Sequence, residues 1–348
     1  MTSRLKTSLE RMPGEESGGK TPSRLIGVGF KVAPETRAVI QASLEGAAEI
    51  AFLGDLDEAQ RPHAAASVEA LLTWNPWREL GDDGLAAFST LRFMQLVSAG
   101  ADHVRFTDLP DSIVVASNPG AYAQPMAEHT VGMILALAKR LTHHHEQLAR
   151  GEFDQRSRTI QIRGATCGIL GFGGIGKATA RLMRSFGARV AAINSSGQTD
   201  EPVDSIGTLH DLDEVLRRSD FMVIALPLTT RTRGLIGTRE LELMKPDAIL
   251  VNVARGAIVD EAALYRHVRD HPEFMVGIDT WWDEPRGGAP FETNHPFFKL
   301  PNVLGSPHNS ALVPGIEAEA IKEATENLLR YLGGESPRGM VRREDYLP

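Results

Sequence analysis

The sequence predicts an α/β protein built from two doubly wound parallel-sheet domains. Three observations carry this expectation. Short apolar runs alternate with segments of helical period, the pattern of repeated βαβ units. The alternation comes as two series separated by one long helical stretch. The chain has 348 residues, 42% hydrophobic and 24% charged, which suits two soluble domains with a core each.

In the first series, Leu25–Val28, Glu49–Leu53, Ala70–Thr73, Phe93–Val97 and Ile113–Ala116 read as strands, with a helix from Pro34 to Leu44 between the first two. A helical pattern follows from Pro125 through Arg150, carrying Ala127, Thr130, Val131, Ile134, Leu135 and Leu137. It is longer than most globular helices and suits a crossing between domains. The second series reads as strands at Thr166–Leu170, Arg189–Ile193, Phe221–Ala225, Ala248–Asn252, Met275–Ile278 and Asn302–Gly305. A last helix, Pro314 to Tyr331, returns to the first domain. The expected division is a leader over 1–20, a substrate-binding domain of 21–130 and 312–348, and a dinucleotide-binding domain over 131–311.

Composition removes several classes of function. The net charge is −8 and no long basic run occurs, which argues against nucleic acid as the main ligand. Cys167 is the single cysteine, so an internal disulfide is impossible and a reducing compartment fits. No run approaches the apolar length of a membrane span. The first twenty or so residues are polar, lack the apolar middle of a secretory signal and read as a disordered leader. These features predict a soluble, cytoplasmic protein.

The first chemical motif is Gly168-Ile169-Leu170-Gly171-Phe172-Gly173-Gly174-Ile175-Gly176. An apolar strand runs straight into Gly-x-Gly-x-x-Gly, and helical residues follow. Gly171 makes the tight turn, Gly173 lets the backbone approach a pyrophosphate, and Gly176 lets helix and strand pack closely. The helix N-terminus then faces the phosphate charge. This predicts a Rossmann-type nucleotide-binding domain; the fold class expected for the first series is a flavodoxin-like substrate domain, with a cleft between the two. The next strand ends in Asn194-Ser195-Ser196-Gly197, where an NAD-binding site would carry a carboxylate for the ribose 2′-hydroxyl. With no acid there to repel a 2′-phosphate, NADP(H) is favoured over NAD(H).

Three segments stand at the ends of later strands, where an open α/β sheet places its crevice: Asn252-Val253-Ala254-Arg255-Gly256, Asp279-Thr280-Trp281-Trp282-Asp283-Glu284-Pro285 and Ser306-Pro307-His308-Asn309-Ser310. With Val115-Ala116-Ser117-Asn118-Pro119-Gly120, Ala127-Glu128-His129-Thr130, Leu226-Pro227-Leu228-Thr229 and Met244-Lys245-Pro246, they make the chain resemble the D-isomer-specific 2-hydroxyacid dehydrogenases. The likeness runs from about Gln95 to the last helix and leans to the glyoxylate and hydroxypyruvate reductase subgroup.

The resemblance implies Arg255, Glu284 and His308 as the catalytic set. The residue chemistry agrees. A planar, always-charged guanidinium suits a substrate carboxylate. An imidazole can give or take a proton near neutrality, and a carboxylate on its far nitrogen would orient it. By the same resemblance Gly174 and Ile175 lie at the pyrophosphate, Pro227, Val253 and Ala254 flank the cofactor, and Asp279 holds the nicotinamide carboxamide. Ser98, Ala99 and Gly100 form a loop whose amides meet the substrate carboxylate, and Thr73 and Trp74 help shape the pocket. A homodimer is implied too. The tract His143-His144-His145 reads as a solvated helix face, since consecutive helical residues diverge; no metal site is expected. An alternative from another class is a non-catalytic, dinucleotide-sensing regulator of the corepressor type on the same fold.

Overall fold

In the computed structural model, residues 24–285 and 287–347 are described; the leader expected over 1–20 lies outside them. The first sheet comprises β1 (Leu25–Val28), β2 (Glu49–Phe52), β3 (Ala70–Thr73), β4 (Phe93–Leu96) and β5 (Val114–Ala116), in the order β2-β1-β3-β4-β5. Every pairing is parallel. Helices α1 (Pro34–Leu44), α2 (Arg61–Ala65) and α3 (Pro76–Leu80) lie between these strands in sequence. β3 and β4 are buried throughout, so they read as continuous apolar runs without alternation.

The chain then enters α4 (Ala123–Ala138) and α5 (Leu141–Ala149). The single helix expected over Pro125–Arg150 is therefore two helices. Arg140 turns into the left-handed region with φ 49°, which an α-helix of L-residues cannot propagate. The break is held from outside: Ile160 N–H donates to the Ala138 carbonyl, Lys139 Nζ donates to Ile160 O at 2.6 Å, and Arg140 pairs with Glu273 at 2.7 Å. Lys-Arg carries neither the glycine nor the proline that most clearly ends a helix, so the helical pattern reads on through it. The expected domain boundary at 130/131 falls inside α4, whose Val131, Ile134 and Leu137 sit in the core of the second sheet.

That sheet holds β6 (Thr166–Leu170), β7 (Arg189–Ile193), β8 (Ser205–Gly207), β9 (Phe221–Ile224), β10 (Ile249–Asn252), β11 (Met275–Ile278) and β12 (Val303–Gly305), in the order β12-β11-β10-β9-β6-β7-β8. Its strands also pair in parallel. Helices α6 (Gly174–Ser185), α7 (Leu212–Arg218), α8 (Thr238–Leu243) and α9 (Glu261–Asp270) accompany them. The order reverses between β6 and β9, which puts the ligand crevice at their carboxyl ends. β8 was not foreseen: a three-residue edge strand, Ser-Ile-Gly, contains no apolar run.

The last helix, α10 (Ile316–Leu332), packs on the first sheet, where Ala320, Ile321, Ala324 and Leu328 join the core of Ile26, Val28 and Phe93. The chain then covers the β5 edge through Ser117 N to Gly339 O (2.9 Å) and Val341 N to Val115 O (2.8 Å), removing an open strand edge. Beyond it the tail touches both domains. Tyr346 stacks on Phe106 at 5.1 Å, and Arg343 donates to the Phe106 and Leu109 carbonyls. Asp345 takes Thr230 N–H on its carbonyl at 2.9 Å and Arg231 on its carboxylate at 2.7 Å. Among the described residues no helix is long and apolar enough to cross a membrane.

Candidate active site

The glycine-rich turn forms because its backbone has no room for side chains. Gly171 has φ +102°, and a Cβ there would lie 2.4 Å from Leu226 N. A Cβ on Gly176 would lie 2.2 Å from the Gly171 carbonyl oxygen. Gly173, by contrast, faces open space, leaving a cradle at the start of α6 where the amides and helix dipole can meet an anion. Gly174 packs against Gly120, with 2.7 Å from its would-be Cβ to Gly120 Cα, so its missing side chain also serves contact with the first domain. Ile175 is half-buried in the core around α4 and α6.

After β7, Asn194 spends its side chain on its own loop. Its Oδ1 accepts from Gly197 N at 2.7 Å and Ser196 N at 3.1 Å, and its Nδ2 donates to Gln198 O at 2.8 Å. Ser195 and Ser196 are exposed. The nearest following acids in the chain, Asp200 and Glu201, are engaged by Lys177 and Arg181 of α6. Val253 and Ala254 bury their side chains, so only their backbone can face a ligand. The Pro227 carbonyl accepts from Thr232 Oγ1 at 2.7 Å, closing the loop after β9.

Beyond β11 and β12 lies a cluster of polar atoms. Asp279 is fully buried. Its Oδ1 accepts from Ser306 Oγ at 2.6 Å and Asn309 N at 3.3 Å, while among the described residues its Oδ2 has no partner. Thr280 Oγ1 and Ser310 Oγ are likewise buried and, among the described residues, unpartnered. Buried polar atoms are rarely left so, and a carboxamide, with two donors and one acceptor, would satisfy such a group. The residues present therefore fit a nicotinamide dinucleotide, with an open backbone cradle at Gly173 and a buried, unsatisfied acceptor at Asp279. Thr280 and Ser310 were not singled out from the sequence, where lone hydroxyls carry no signal.

Glu284 and His308 come together across 24 residues of sequence, with His308 Nδ1 2.8 Å from Glu284 Oε2. The other oxygen of Glu284 accepts from Trp281 N at 3.1 Å. Burial would raise the Glu284 pKa, but the hydrogen bond and charge of His308, the Trp281 amide and the Arg255 charge outweigh it and hold it below its ordinary value. His308 sits at φ 51°, a backbone that costs energy outside glycine. Its N–H donates to the Asp279 carbonyl at 2.8 Å, so one contact binds the two segments.

Arg255 reaches from the end of β10 to the first domain. Its Nε lies 3.2 Å from both oxygens of Asp102, and its Nη1 donates to the Ala254 carbonyl at 2.7 Å. A Cβ on Gly100 would stand 2.5 Å from Arg255 Nη2, so the guanidinium lies against the loop of Ser98, Ala99 and Gly100. In that loop Ser98 Oγ donates to Gly100 O at 2.9 Å, and among the described residues the Ala99 and Gly100 amides meet no backbone acceptor. Asp102 was missed in the sequence because its partner lies 153 positions away.

On the same side, Thr73 Oγ1, Trp74 N and Asn75 N all point to Glu79, fixing the loop after β3. Burial raises the Glu79 pKa, partly offset by these donors. Trp281 and Trp282 are packing residues, their indole N–H groups on the Ser306 and Val259 carbonyls. The three consecutive histidines lie on α5, which buries no residue.

Two parallel-sheet domains, a dinucleotide turn and a guanidinium beside an imidazole–carboxylate pair define a nicotinamide-dependent oxidoreductase. The family model for the D-isomer specific 2-hydroxyacid dehydrogenase, NAD binding domain, matches residues 131–310. A glyoxylate reductase of Aeropyrum pernix is 34% identical over 274 residues, covering 75% of this chain and 79% of the relative. A hydroxypyruvate reductase of Thermotoga maritima is 30% identical over 254 residues, covering 72% and 81%. A D-isomer specific 2-hydroxyacid dehydrogenase from Xanthobacter autotrophicus Py2, solved in complex with NADPH and MES, superposes with TM-score 0.75 at 25% identity, covering 92% and 98%. The chain belongs to the D-isomer-specific 2-hydroxyacid dehydrogenase family, enzymes that act with a nicotinamide cofactor on the CH–OH group of their donors.

Proposed function

We propose that the protein reduces glyoxylate, hydroxypyruvate or a related small 2-keto acid to the D-2-hydroxy acid, with NADPH preferred over NADH. The observation that carries the reading is the placement of Arg255 against the Ala99–Gly100 loop, with the His308–Glu284 pair on the neighbouring strand ends. When bound, the cofactor supplies the hydride.

Arg255 and the Ala99 and Gly100 amides grip the substrate carboxylate and polarise its keto oxygen. His308, its Nδ1 engaged by Glu284, keeps Nε2 for the proton that the developing alkoxide takes up. Glu284 fixes the imidazole ring through its contact with Nδ1. NADPH is supported by the loop at 194–197, which carries no carboxylate, and by the NADPH bound in the Xanthobacter relative. The same reading takes the protein as a cytoplasmic homodimer, supported by the lone buried Cys167 and by the exposed apolar Leu141, Leu148 and Phe153 in and beside α5.

The test is loss of absorbance at the reduced-nicotinamide band with glyoxylate, hydroxypyruvate, pyruvate and phenylpyruvate, each with NADPH and with NADH. Rapid oxidation of NADPH by the small acids is expected, and His308→Gln should lower turnover by about 10²–10⁴-fold while leaving cofactor affinity intact. A clear preference for NADH would sink the cofactor assignment. Silence across the panel, with cofactor binding shown separately, would favour the sensor over the reductase.

A further inference from the structure

Behind Asp279 stands a second histidine that the reaction above does not use. His129, on α4, places Nε2 2.9 Å from Ser306 Oγ and 3.7 Å from Asp279 Oδ1. The direction of this chain follows from donor counting. A carboxylate only accepts, and a serine hydroxyl has one proton. The 2.6 Å contact from Ser306 to Asp279 Oδ1 uses that proton. The serine oxygen must therefore accept from His129, which fixes the histidine proton on Nε2. The relay runs His129 to Ser306 to Asp279.

With Asn309 N, the relay occupies Oδ1 and leaves Oδ2 as a buried acceptor without a partner among the described residues. A carboxylate pinned through one oxygen loses its rotation, so the other oxygen points one way. We propose that His129, acting through Ser306, is a positioning residue that aims Asp279 Oδ2 at the nicotinamide carboxamide. The inference rests on the dehydrogenase reading and adds to it a residue outside the catalytic set. α4 makes the arrangement rigid: it packs along α6, whose first turn faces the pyrophosphate, and against β10 and β11. One helix thus backs both the glycine turn and the strand ends that carry Asp279.

The experiment compares two ligands that differ in the nicotinamide end alone. Affinities of the wild-type protein, His129→Phe, His129→Gln and Ser306→Ala are measured for NADPH and for 2′-phospho-ADP-ribose, or for NADH and ADP-ribose if that cofactor is the preferred one. His129→Phe and Ser306→Ala should bind the dinucleotide about tenfold more weakly, the scale of one hydrogen bond to a charged group, and bind the nicotinamide-free ligand as the wild type does. His129→Gln, which keeps an N–H at the same reach, should restore most of the loss. Equal weakening for both ligands, or none for the dinucleotide, overturns the proposal. Should His129→Phe fail to fold, Ser306→Ala carries the same comparison. A wild-type protein that binds neither ligand would overturn the dehydrogenase reading itself, a result distinct from either outcome.

Discussion

Arg255 is held by Asp102 and the Ala254 carbonyl while it lies against the Gly100 loop, and this placement sets what a substitution beside it does. Its Nε faces Asp102, while Nη2 lies where a Gly100 side chain would be. Gly100→Ala should leave the melting temperature almost unchanged, because a flexible guanidinium can move aside, yet lower kcat/KM by about 10²-fold, the usual result of misplacing a positioning group. Steady-state kinetics beside a thermal melt checks this.

Glu284 gives a pH prediction. Its pKa is lower in the folded protein, so the folded state releases this proton more readily than the unfolded chain. The pair's contribution is therefore present above the ordinary carboxylate range and is lost as pH falls through the lowered value. Glu284→Gln should flatten the acid side of the stability–pH curve, and thermal melts at stepped pH read it. A slope equal to the wild type's would show that the carboxylate does not act on stability.

At the scale of elements, the glycine turn also holds strand and helix together. Gly176→Ala drives a Cβ to 2.2 Å from a backbone oxygen, which cannot swing away, so about 1–3 kcal/mol of stability should go together with cofactor binding. Denaturant unfolding and cofactor titration of the variant test both. The turn could be read in the sequence because its glycines are close in the chain. Strands such as β3, β4 and β6 could be read because burial on both faces makes them apolar runs. β8 and the Lys139–Arg140 break could not: an edge strand needs no apolar run, and the break is held by Ile160 and Glu273, contacts that arrive from distant positions. The site divides in the same way. Arg255, Glu284 and His308 stood in motifs, whereas Asp102, and the link from His129 to Ser306 across 177 positions, exist only in three dimensions.

For the whole molecule, the two sheets are joined covalently where α4 leads out of the first domain and where the chain returns to α10. The tail adds a third crossing through Asp345, Thr230 and Arg231. Closing a cleft over its ligands excludes water from the chemistry, and any opening must either break these contacts or carry the tail along. Asp345→Ala is expected to raise KM for the keto acid while leaving the cofactor turn untouched, and small-angle scattering of the ligand-free variant should show a more expanded particle. An unchanged scattering profile would count against the tail as a restraint. The tail then acts through effective concentration: by holding the jaws near one another before any ligand arrives, it makes closure a short-range encounter, so less of the substrate's binding energy is consumed in bringing the halves together and more is left for the reaction.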